Sequence, residues 1–315
     1  MPSMRHIVLA AIVILTTGLT AAQAAPNPAI RVVATIKPIN SLVTAVMGDT
    51  ATPYLIVKGA GSPHTYALKP SDAAALQSAD LIFRDATNFE NFLNKAVDTL
   101  PEKARVVVLA DTPGITRRHM RATGDFELDE DELPSEDADP ALSLDPHLWL
   151  DPQNAIAMVK AIAEALADID PANGATYAAN AHAEIERLSA LQSQLASELV
   201  AAKGKPYIVF HDAYQYFEHR FGLSAAGSIV IEPDSPPGAR RIAGMRDKIT
   251  RIDATCVFSE PEFEPKLVAT VIEGTSARTG VLDPLGANLP DGPDLYFTLM
   301  QNLAKSLTDC LAPAS

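Results

Sequence analysis

Basic side chains are scarce in this chain of 315 residues. It carries 25 lysines and arginines against 39 aspartates and glutamates, a formal net charge of −14 at pH 7. That charge repels phosphate backbones, so we expect no nucleic acid among its partners. Charged residues make up only 20% of the sequence and hydrophobic residues 47%, which is typical of a globular protein with a large core. At this length two lobes are favoured over one.

Long apolar runs are missing after the first two dozen residues, so no later segment is expected to span a bilayer. Residues 1–24 have the pattern of a signal peptide. Arg5 supplies the positive start, IVLAAIVILTTGL the apolar centre, and Ala22-Gln23-Ala24 the small residues of a cleavage site. No cysteine follows that site, which excludes lipid anchoring there. We expect cleavage near Ala24 and a soluble, exported protein.

Short β-rich runs alternate with amphipathic helical segments through the rest of the chain. This alternation is typical of parallel sheets flanked by helices. The predicted strands are 30–36, 53–57, 80–83 and 105–109 in the first half, and 207–210, 228–231, 256–259 and 279–282 in the second. After the third strand, Thr87 and Glu90 are predicted to form a helix capping box. The predicted fold is α/β, with two lobes that each contain a roughly four-stranded, mainly parallel sheet.

One long helical pattern separates the two halves. It covers residues 175–203, has one apolar face, and ends at Gly204. At 1.5 Å per residue it would be about 40 Å long, enough to run along both lobes. It contains no internal proline or glycine, so we expect a rigid link that allows small tilts rather than a large hinge motion. The predicted lobes are 25–174 and 204–315, with this helix between them.

Residues 117–145 interrupt the alternation of strands and helices. The segment begins with RRHMR and continues as GDFELDEDELPSEDADP, which is rich in acid and poor in apolar residues. Such a composition favours a solvated, mobile surface loop. The alternative is an arm that collects cations weakly, with His119 at its base as an auxiliary metal ligand.

The stretch DPHLWLDP lies between the acidic segment and the next helix. It contains the only tryptophan, Trp149, and holds His147 between a proline and apolar side chains. Asp151 and Pro152 are predicted to be the N-cap and the first residue of the helix that follows, which fixes the stretch to the scaffold. Taken alone, His147 is either a packed, hydrogen-bonded histidine or a metal ligand.

Three other potential metal ligands lie just after predicted strands. His64 follows the second strand after a glycine-rich turn, His211 comes directly after the fifth, and Asp283 directly after the eighth. Open α/β sheets bind ligands beyond the carboxyl ends of their strands, so two facing lobes would bring these residues and His147 into one cleft. Three imidazoles and a carboxylate suit zinc, whereas manganese prefers more oxygen donors. The alternative is four unrelated loop and core residues.

Five segments resemble, in order, the signature segments of a known family: GSPHTYALKPSD, DPHLWLDP, FHDAYQYFEHRFGL, CVFSEPEF and GVLDPLG. The family is that of the zinc-specific periplasmic binding proteins of ABC importers, the ZnuA type. The resemblance covers nearly all of the chain after residue 24. It implies high-affinity capture of Zn²⁺ in the periplasm, between two lobes, and delivery to a membrane permease. It further implies a monomer, with a periplasmic zinc chaperone as a second candidate partner.

The resemblance also implies a ligand set. His64, His147 and His211 fall on the family's three histidine ligands, and manganese-binding relatives have a glutamate at the position of His211. Asp283 matches a carboxylate that ligates metal in part of the wider family. Other zinc members use water or a glutamate beside the first histidine, but Pro63 takes that place here. The fourth ligand is thus left open between Asp283 and water.

Two further features can be compared with the family. Zinc members often carry a histidine-rich loop between the first two ligands, whereas this chain has the acidic run with His119 alone. The resemblance therefore does not extend to an auxiliary zinc site on that loop. Zinc members also carry a cysteine pair similar to Cys256 and Cys310, so we expect a disulfide in the oxidising periplasm, with two free thiols as the alternative.

Two other functions are alternatives to zinc capture. A zinc hydrolase would need an open metal position and a general base, yet the chain has no HExxH or similar motif. Glu260 and Glu262 are candidate bases, but nothing in the sequence distinguishes them from other glutamates. We therefore expect no enzymatic activity. A manganese or iron importer component, or an adhesin, built on the same fold is the nearer alternative.

Overall fold

The computed structural model describes residues 30–99, 104–121, 124, 126, 144–230, 233, 237–264 and 266–312. The predicted signal peptide at 1–24 and the acidic residues at 125 and 127–143 lie outside these ranges, so the structure bears on neither prediction. The described residues form two lobes, each built on a four-stranded parallel sheet flanked by helices. The predicted α/β architecture is therefore confirmed.

The first lobe contains four short parallel strands in the order β2-β1-β3-β4. Its strands are β1 (Val32–Ala34), β2 (Tyr54–Leu55), β3 (Leu81–Arg84) and β4 (Arg105–Val108), and its helices are α1 (Lys37–Met47), α2 (Pro70–Ser78), α3 (Asn91–Val97) and α4 (Pro152–Ile169). Strand β1 lies inside the sheet and is buried along its whole length. Burial on both faces explains why its sequence is an unbroken apolar run.

The second lobe repeats this arrangement, with strand order β6-β5-β7-β8. Its strands are β5 (Tyr207–Val209), β6 (Gly227–Ser228), β7 (Cys256–Ser259) and β8 (Arg278–Val281), and its helices are α6 (Gln215–Phe221), α7 (Ala239–Arg251), α8 (Lys266–Ile272) and α9 (Leu295–Leu311). Each predicted strand overlaps an observed one. Most observed strands are shorter, because residues at the strand ends leave the hydrogen-bonded ladder.

A single long helix, α5 (Gly174–Glu198), connects the two lobes. Its 25 residues extend over about 38 Å, and a 3₁₀ turn at Leu199–Ala202 prolongs it. It packs against α1 and α4 of the first lobe and α9 of the second. The long helix predicted at 175–203 is therefore confirmed. Within the described ranges, none of the helices combines the length and the apolar character that crossing a membrane requires.

The lobes share one hydrophobic core. A cluster of buried apolar side chains runs without a break from Val33 in β1, past Leu188 in α5, to Phe258 in β7. A smaller cluster lies under α7 and α8 and includes Ile249 and Val271. Because the main core crosses between the lobes, a wide separation of the lobes would expose apolar side chains to water.

One local prediction is wrong. Helix α3 begins at Asn91, so Glu90 precedes the helix instead of occupying its third position, and no capping box with Thr87 forms. The Glu90 carboxylate is fully buried and accepts hydrogen bonds from the backbone N–H groups of Asp85 at 3.0 Å and Ala86 at 3.2 Å. A buried carboxylate requires hydrogen-bond donors. The backbone N–H groups at the end of β3 supply them here, so the Glu90 side chain does not cap α3.

Two other local predictions are confirmed. The Asp151 carboxylate accepts a 2.9 Å hydrogen bond from the backbone N–H of Gln153, so Asp151 caps α4, and Pro152 is the first residue of that helix. Cys256, the first residue of β7, forms a disulfide with Cys310 in α9, with Cα atoms 6.2 Å apart. The cap fixes the segment that carries His147, and the disulfide ties β7 to the last helix.

Candidate metal centre

Three histidines from distant segments meet between the lobes. His64 lies in the loop between β2 and α2, His147 lies just before the 3₁₀ turn Leu148–Leu150, and His211 lies two residues after β5. One ring nitrogen from each lies within 4.8 Å of the corresponding atoms of the other two. Within the described ranges this is the one group of such side chains close enough to hold a metal ion. The three histidines singled out from the sequence therefore lie close together.

The nitrogens of His147 and His211 have the spacing that a zinc ion requires. Their Nε2 atoms lie 3.3 Å apart. A tetrahedral zinc with Zn–N bonds of about 2.0–2.1 Å holds its nitrogen ligands about 3.3–3.4 Å from one another. Both residues are only 4% exposed, so little water competes for the position between them. The two Nε2 atoms are therefore spaced like two of the four ligand atoms around a tetrahedral zinc ion.

Carboxylates fix the orientation of both rings. The Nδ1 atom of His147 lies 2.8 Å from Oδ1 of Asp145, and the Nδ1 atom of His211 lies 2.6 Å from Oε2 of Glu260. An ionised carboxylate can only accept, so each Nδ1 carries the proton that it donates and each Nε2 is the atom turned toward the shared point. Carboxylate–histidine pairs of this kind set the tautomer and raise the basicity of metal-ligating histidines.

His64 completes the group from the loop after β2. Its ring centroid lies 5.5 Å from that of His211 and 5.8 Å from that of His147. The ring edge packs against Phe89, with centroids 4.9 Å apart. Apolar side chains line most of the small cavity around the three rings: Phe89, Trp149, Phe263, Pro284 and Leu285. Such a lining excludes water and strengthens the interaction of the nitrogens with a cation.

The three histidines differ in their proton affinity. Burial, followed by the charges of His211 and His147, holds the pKa of His64 well below its usual range. Burial and then the charge of His211 do the same to the pKa of His147. Burial also lowers the pKa of His211, but the charge and hydrogen bond of Glu260 outweigh it, and the pKa of His211 is raised. His64 and His147 therefore stay neutral to more acidic pH than a free histidine, while His211 keeps its proton to higher pH than a free histidine.

Helix α6 of the second lobe holds the His147 segment of the first. The amide Nε2 of Gln215 donates to Oδ2 of Asp145 at 3.0 Å, and the Tyr216 hydroxyl donates to the Asp145 carbonyl oxygen at 2.9 Å. Burial raises the pKa of Asp145 to about 7, although the hydrogen bonds from the His147 backbone and from Gln215 partly oppose the rise. The position of His147 thus depends on contacts from both lobes.

Asp283 does not join the three histidines. Its Oδ1 atom accepts hydrogen bonds from the backbone N–H groups of Leu285 at 3.1 Å and Gly286 at 2.7 Å. It is neither in the group of close ligand atoms nor among the described residues that line the cavity. The carboxylate therefore holds the turn after β8 in this structure, and its ligation of metal stays a prediction.

Glu262 does line the cavity, next to Asp283. Both of its carboxyl oxygens are buried, and they accept no hydrogen bond from any described residue. Burial, followed by the charges of Asp283 and Glu260, raises its pKa to about 9. Its neighbour Glu260, by contrast, accepts hydrogen bonds from His211 and from the Tyr214 hydroxyl. The two glutamates, which the sequence did not distinguish, thus have different surroundings.

His119 lies away from the three histidines. Its side chain is exposed, its backbone pairs with Leu144 in an isolated antiparallel bridge, and its carbonyl oxygen accepts a 2.9 Å hydrogen bond from Gln215. It therefore lies at the base of the acidic segment, as predicted. The carboxylates that would share an auxiliary metal with it fall outside the described residues, so that site stays a prediction.

Sequence reasoning missed the two carboxylates that orient the rings. Asp145 could have been found, because a carboxylate two residues before a candidate ligand is within reach of its ring. Glu260 lies 49 residues after His211 along the chain, and only the pairing of β5 with β7 brings them together. No local pattern signals that contact.

Comparison with known proteins identifies the family and the shared fold. Residues 32–310 match the family described as zinc-uptake complex component A, periplasmic. The high-affinity zinc uptake system protein ZnuA of Brucella suis is 51% identical over 305 residues, covering 89% of this chain and 91% of that protein. A crystal structure of ZnuA has a TM-score of 0.76 at 25% identity, covering 90% of this chain and 100% of that one. The manganese-bound protein FpvC of Pseudomonas aeruginosa has a TM-score of 0.75 at 22% identity, covering 90% and 98%, which shows a shared fold alone.

These matches cover both lobes and the helix between them. The family is defined by a part in zinc uptake and not by a catalysed reaction, so the prediction that the chain is not an enzyme is confirmed and the hydrolase alternative is set aside. The resemblance carried by the five sequence segments is likewise confirmed. The chain belongs to the periplasmic zinc-uptake component A family, the ZnuA family.

Proposed function

We propose that this chain captures Zn²⁺ between its two lobes and delivers it to the membrane permease of an ABC importer. His64, His147 and His211 bind the ion through their ring nitrogens. The observation that supports this most is the 3.3 Å spacing of the His147 and His211 Nε2 atoms, with each opposite nitrogen held by a carboxylate. In this role zinc is the cargo, and the chain has to hold it tightly and release it intact.

The donor set favours zinc over manganese. Three imidazole nitrogens in a small, mostly apolar cavity suit a tetrahedral, borderline-soft ion. Manganese prefers oxygen ligands and higher coordination numbers, which this cavity offers less readily. The alternative of a manganese or iron importer component rests on the fold shared with a manganese-bound protein, and the chemistry of the donors does not favour it.

The location and the domain organisation belong to the same proposal. Residues 1–24 direct export and are removed near Ala24, which leaves the protein soluble in the periplasm. The N-terminal lobe then comprises 25–174, the linking helix 175–203 and the C-terminal lobe 204–315. The protein acts as a monomer that docks on the permease, and a periplasmic zinc chaperone is a second candidate partner. The acid-rich composition of the segment at 117–145 suits weak gathering of cations.

Native mass spectrometry of chelator-stripped protein tests this function. Titration with zinc should give one tightly bound ion per chain, and a tenfold excess of manganese should not displace it. Replacing His64, His147 or His211 by alanine should weaken zinc binding at least about tenfold, because each change removes a direct ligand. His182→Ala is the matched control, since that histidine is 77% exposed on α5. Alanine variants that bind zinc like the unaltered protein would contradict the assignment.

A further inference from the structure

We propose that Glu262, and not Asp283, supplies the oxygen donor at the fourth position of the zinc site. This inference rests on the proposed function and adds to it the residue that closes the coordination shell. Three histidines leave one corner of a tetrahedral zinc to be filled. The residue that fills it should face the same cavity, carry an oxygen with a free electron pair, and have no stronger partner elsewhere.

Glu262 meets these conditions. It lines the cavity together with His64, His147 and His211. Its two carboxyl oxygens are buried and accept no hydrogen bond from the described residues, and while the group is protonated it donates to its neighbour Asp283. A buried carboxyl group that accepts no hydrogen bond is costly, so an arrangement of this kind points to a ligand that satisfies it. A divalent cation would satisfy it by displacing the proton that the raised pKa keeps on Glu262 at neutral pH.

Asp283 meets the conditions for a fourth ligand less well than Glu262 does. Two backbone N–H groups, those of Leu285 and Gly286, already donate to its Oδ1 atom. These bonds fix the turn that follows β8, and the side chain does not reach the cavity lining. Pulling this carboxylate onto a cation would break both bonds. Glu262 would give up only its own hydrogen bond to Asp283.

The position of Glu262 on the chain fits the same role. It lies two residues after Glu260, which binds Nδ1 of His211 at 2.6 Å. One short segment after β7 thus orients one ligand and presents another. In the structure the Glu262 oxygens lie outside the group of nitrogens that are within 4.8 Å of one another, so ligation requires the side chain to turn toward the ion. Rotation of a half-buried side chain is a small movement compared with a rearrangement of the backbone.

A pair of isosteric variants tests the inference. Glu262→Gln and Asp283→Asn each remove one charge and keep the size of the side chain, and asparagine can still accept the hydrogen bonds from Leu285 and Gly286. Zinc dissociation constants, measured by competition with a chelator, should rise about tenfold or more in E262Q and stay within about threefold of the unaltered protein in D283N. Thermal unfolding of the chelated proteins checks that both variants fold.

Spectroscopy identifies the donor without relying on affinity. The infrared difference between zinc-loaded and chelated protein should contain a carboxylate stretching shift, and Co²⁺ bound in place of zinc should absorb as a four-coordinate ion. We expect D283N to keep both signals and E262Q to lose the carboxylate shift. Loss of the shift in D283N instead, or its absence from the unaltered protein, overturns the inference and assigns the position to Asp283 or to water. Failure of the unaltered protein to bind zinc at all would overturn the proposed function itself.

Discussion

The indole Nε1 of Trp149 donates a 2.8 Å hydrogen bond to the backbone carbonyl oxygen of Pro284. Trp149 is fully buried two residues after His147, whereas Pro284 follows β8 in the second lobe, and both line the metal cavity. The Tyr296 hydroxyl in turn donates to the Trp149 carbonyl oxygen at 2.7 Å. The single tryptophan thus connects the segment of His147 to the opposite lobe.

Trp149→Phe should lower the free energy of unfolding by about 2–3 kcal/mol. The change leaves the buried carbonyl of Pro284 without a donor and removes part of a large buried ring, and both effects are destabilising. Urea unfolding followed by far-UV circular dichroism measures the loss. Val200→Ala is the control, because Val200 is 62% exposed and its truncation should cost no more than about 0.5 kcal/mol. Equal urea midpoints for W149F and the unaltered protein would mean that the contact between Trp149 and Pro284 contributes nothing to the stability of the fold.

Asp145→Asn and Glu260→Gln should each weaken zinc binding about tenfold or more. Each variant keeps the shape of the side chain but removes the negative charge that raises the basicity of the ligating ring. Isothermal titration with a competing chelator measures the change. Asp168→Asn serves as the control, since that carboxylate is exposed and pairs only with Arg105 among the described residues. If the Asp145 and Glu260 variants both bound zinc as tightly as the control, these carboxylates would make no contribution to zinc affinity.

Zinc affinity should rise with pH through the neutral range and then level off. A raised pKa means that His211 stays protonated to higher pH than a free histidine, and zinc must displace that proton to bind Nε2. His211 should therefore contribute a fall in affinity of about tenfold per pH unit below its pKa, and a ligating Glu262, whose pKa is raised to about 9, should contribute another tenfold per pH unit below about pH 9. His64 and His147, whose pKa values are lowered, add to this slope only at much more acidic pH.

Titration calorimetry in buffers of different ionisation enthalpy counts the protons directly. At a pH below the His211 pKa, close to two protons should leave for each zinc bound, one from His211 and one from Glu262. Release of three or four protons would mean that His64 or His147 is also charged before zinc arrives, and release of one would mean that Glu262 does not ligate the ion. An affinity independent of pH across the neutral range would show that neither His211 nor Glu262 loses a proton to zinc there.

Loss of the Cys256–Cys310 disulfide should destabilise the fold without affecting the metal site. In the chain-entropy model, a bridge between residues 54 positions apart contributes about 4 kcal/mol. Cys256 begins β7, whereas Glu260 follows the other end of that strand, about 13 Å away along the chain. The reduced protein should therefore unfold at a lower temperature and still bind one zinc per chain in native mass spectrometry. Loss of zinc on reduction would contradict this separation.

Periodicity and strand ends were enough to predict the lobes and, together with the family resemblance, to select the three histidines that meet between them. His64 and His211 could be placed because the carboxyl ends of parallel strands meet at one edge, a property that local sequence encodes. Asp151 and Pro152 marked the start of α4 because capping depends on neighbours along the chain. Each of these positions depends on interactions between residues that are close together in the sequence.

The errors and omissions arise from contacts between distant segments. Glu90 looked like part of a cap at the surface, but the fold buries it against the end of β3. Glu260 and Glu262 differ only in what surrounds them: one binds His211, and the other meets no donor among the described residues. The spacing of residues along the chain carries no information about such long-range packing, so these roles required the three-dimensional structure.

The most direct test of the central claim is a crystal structure of the zinc-loaded protein with an anomalous difference map recorded at the zinc absorption edge. We expect one strong peak about 2.0–2.1 Å from a ring nitrogen of each of His64, His147 and His211, the distance of a zinc–imidazole bond. For His147 and His211 that nitrogen should be Nε2, with Asp145 and Glu260 still bound to Nδ1. A main peak elsewhere, or one that any of these three histidines fails to ligate, would contradict the account.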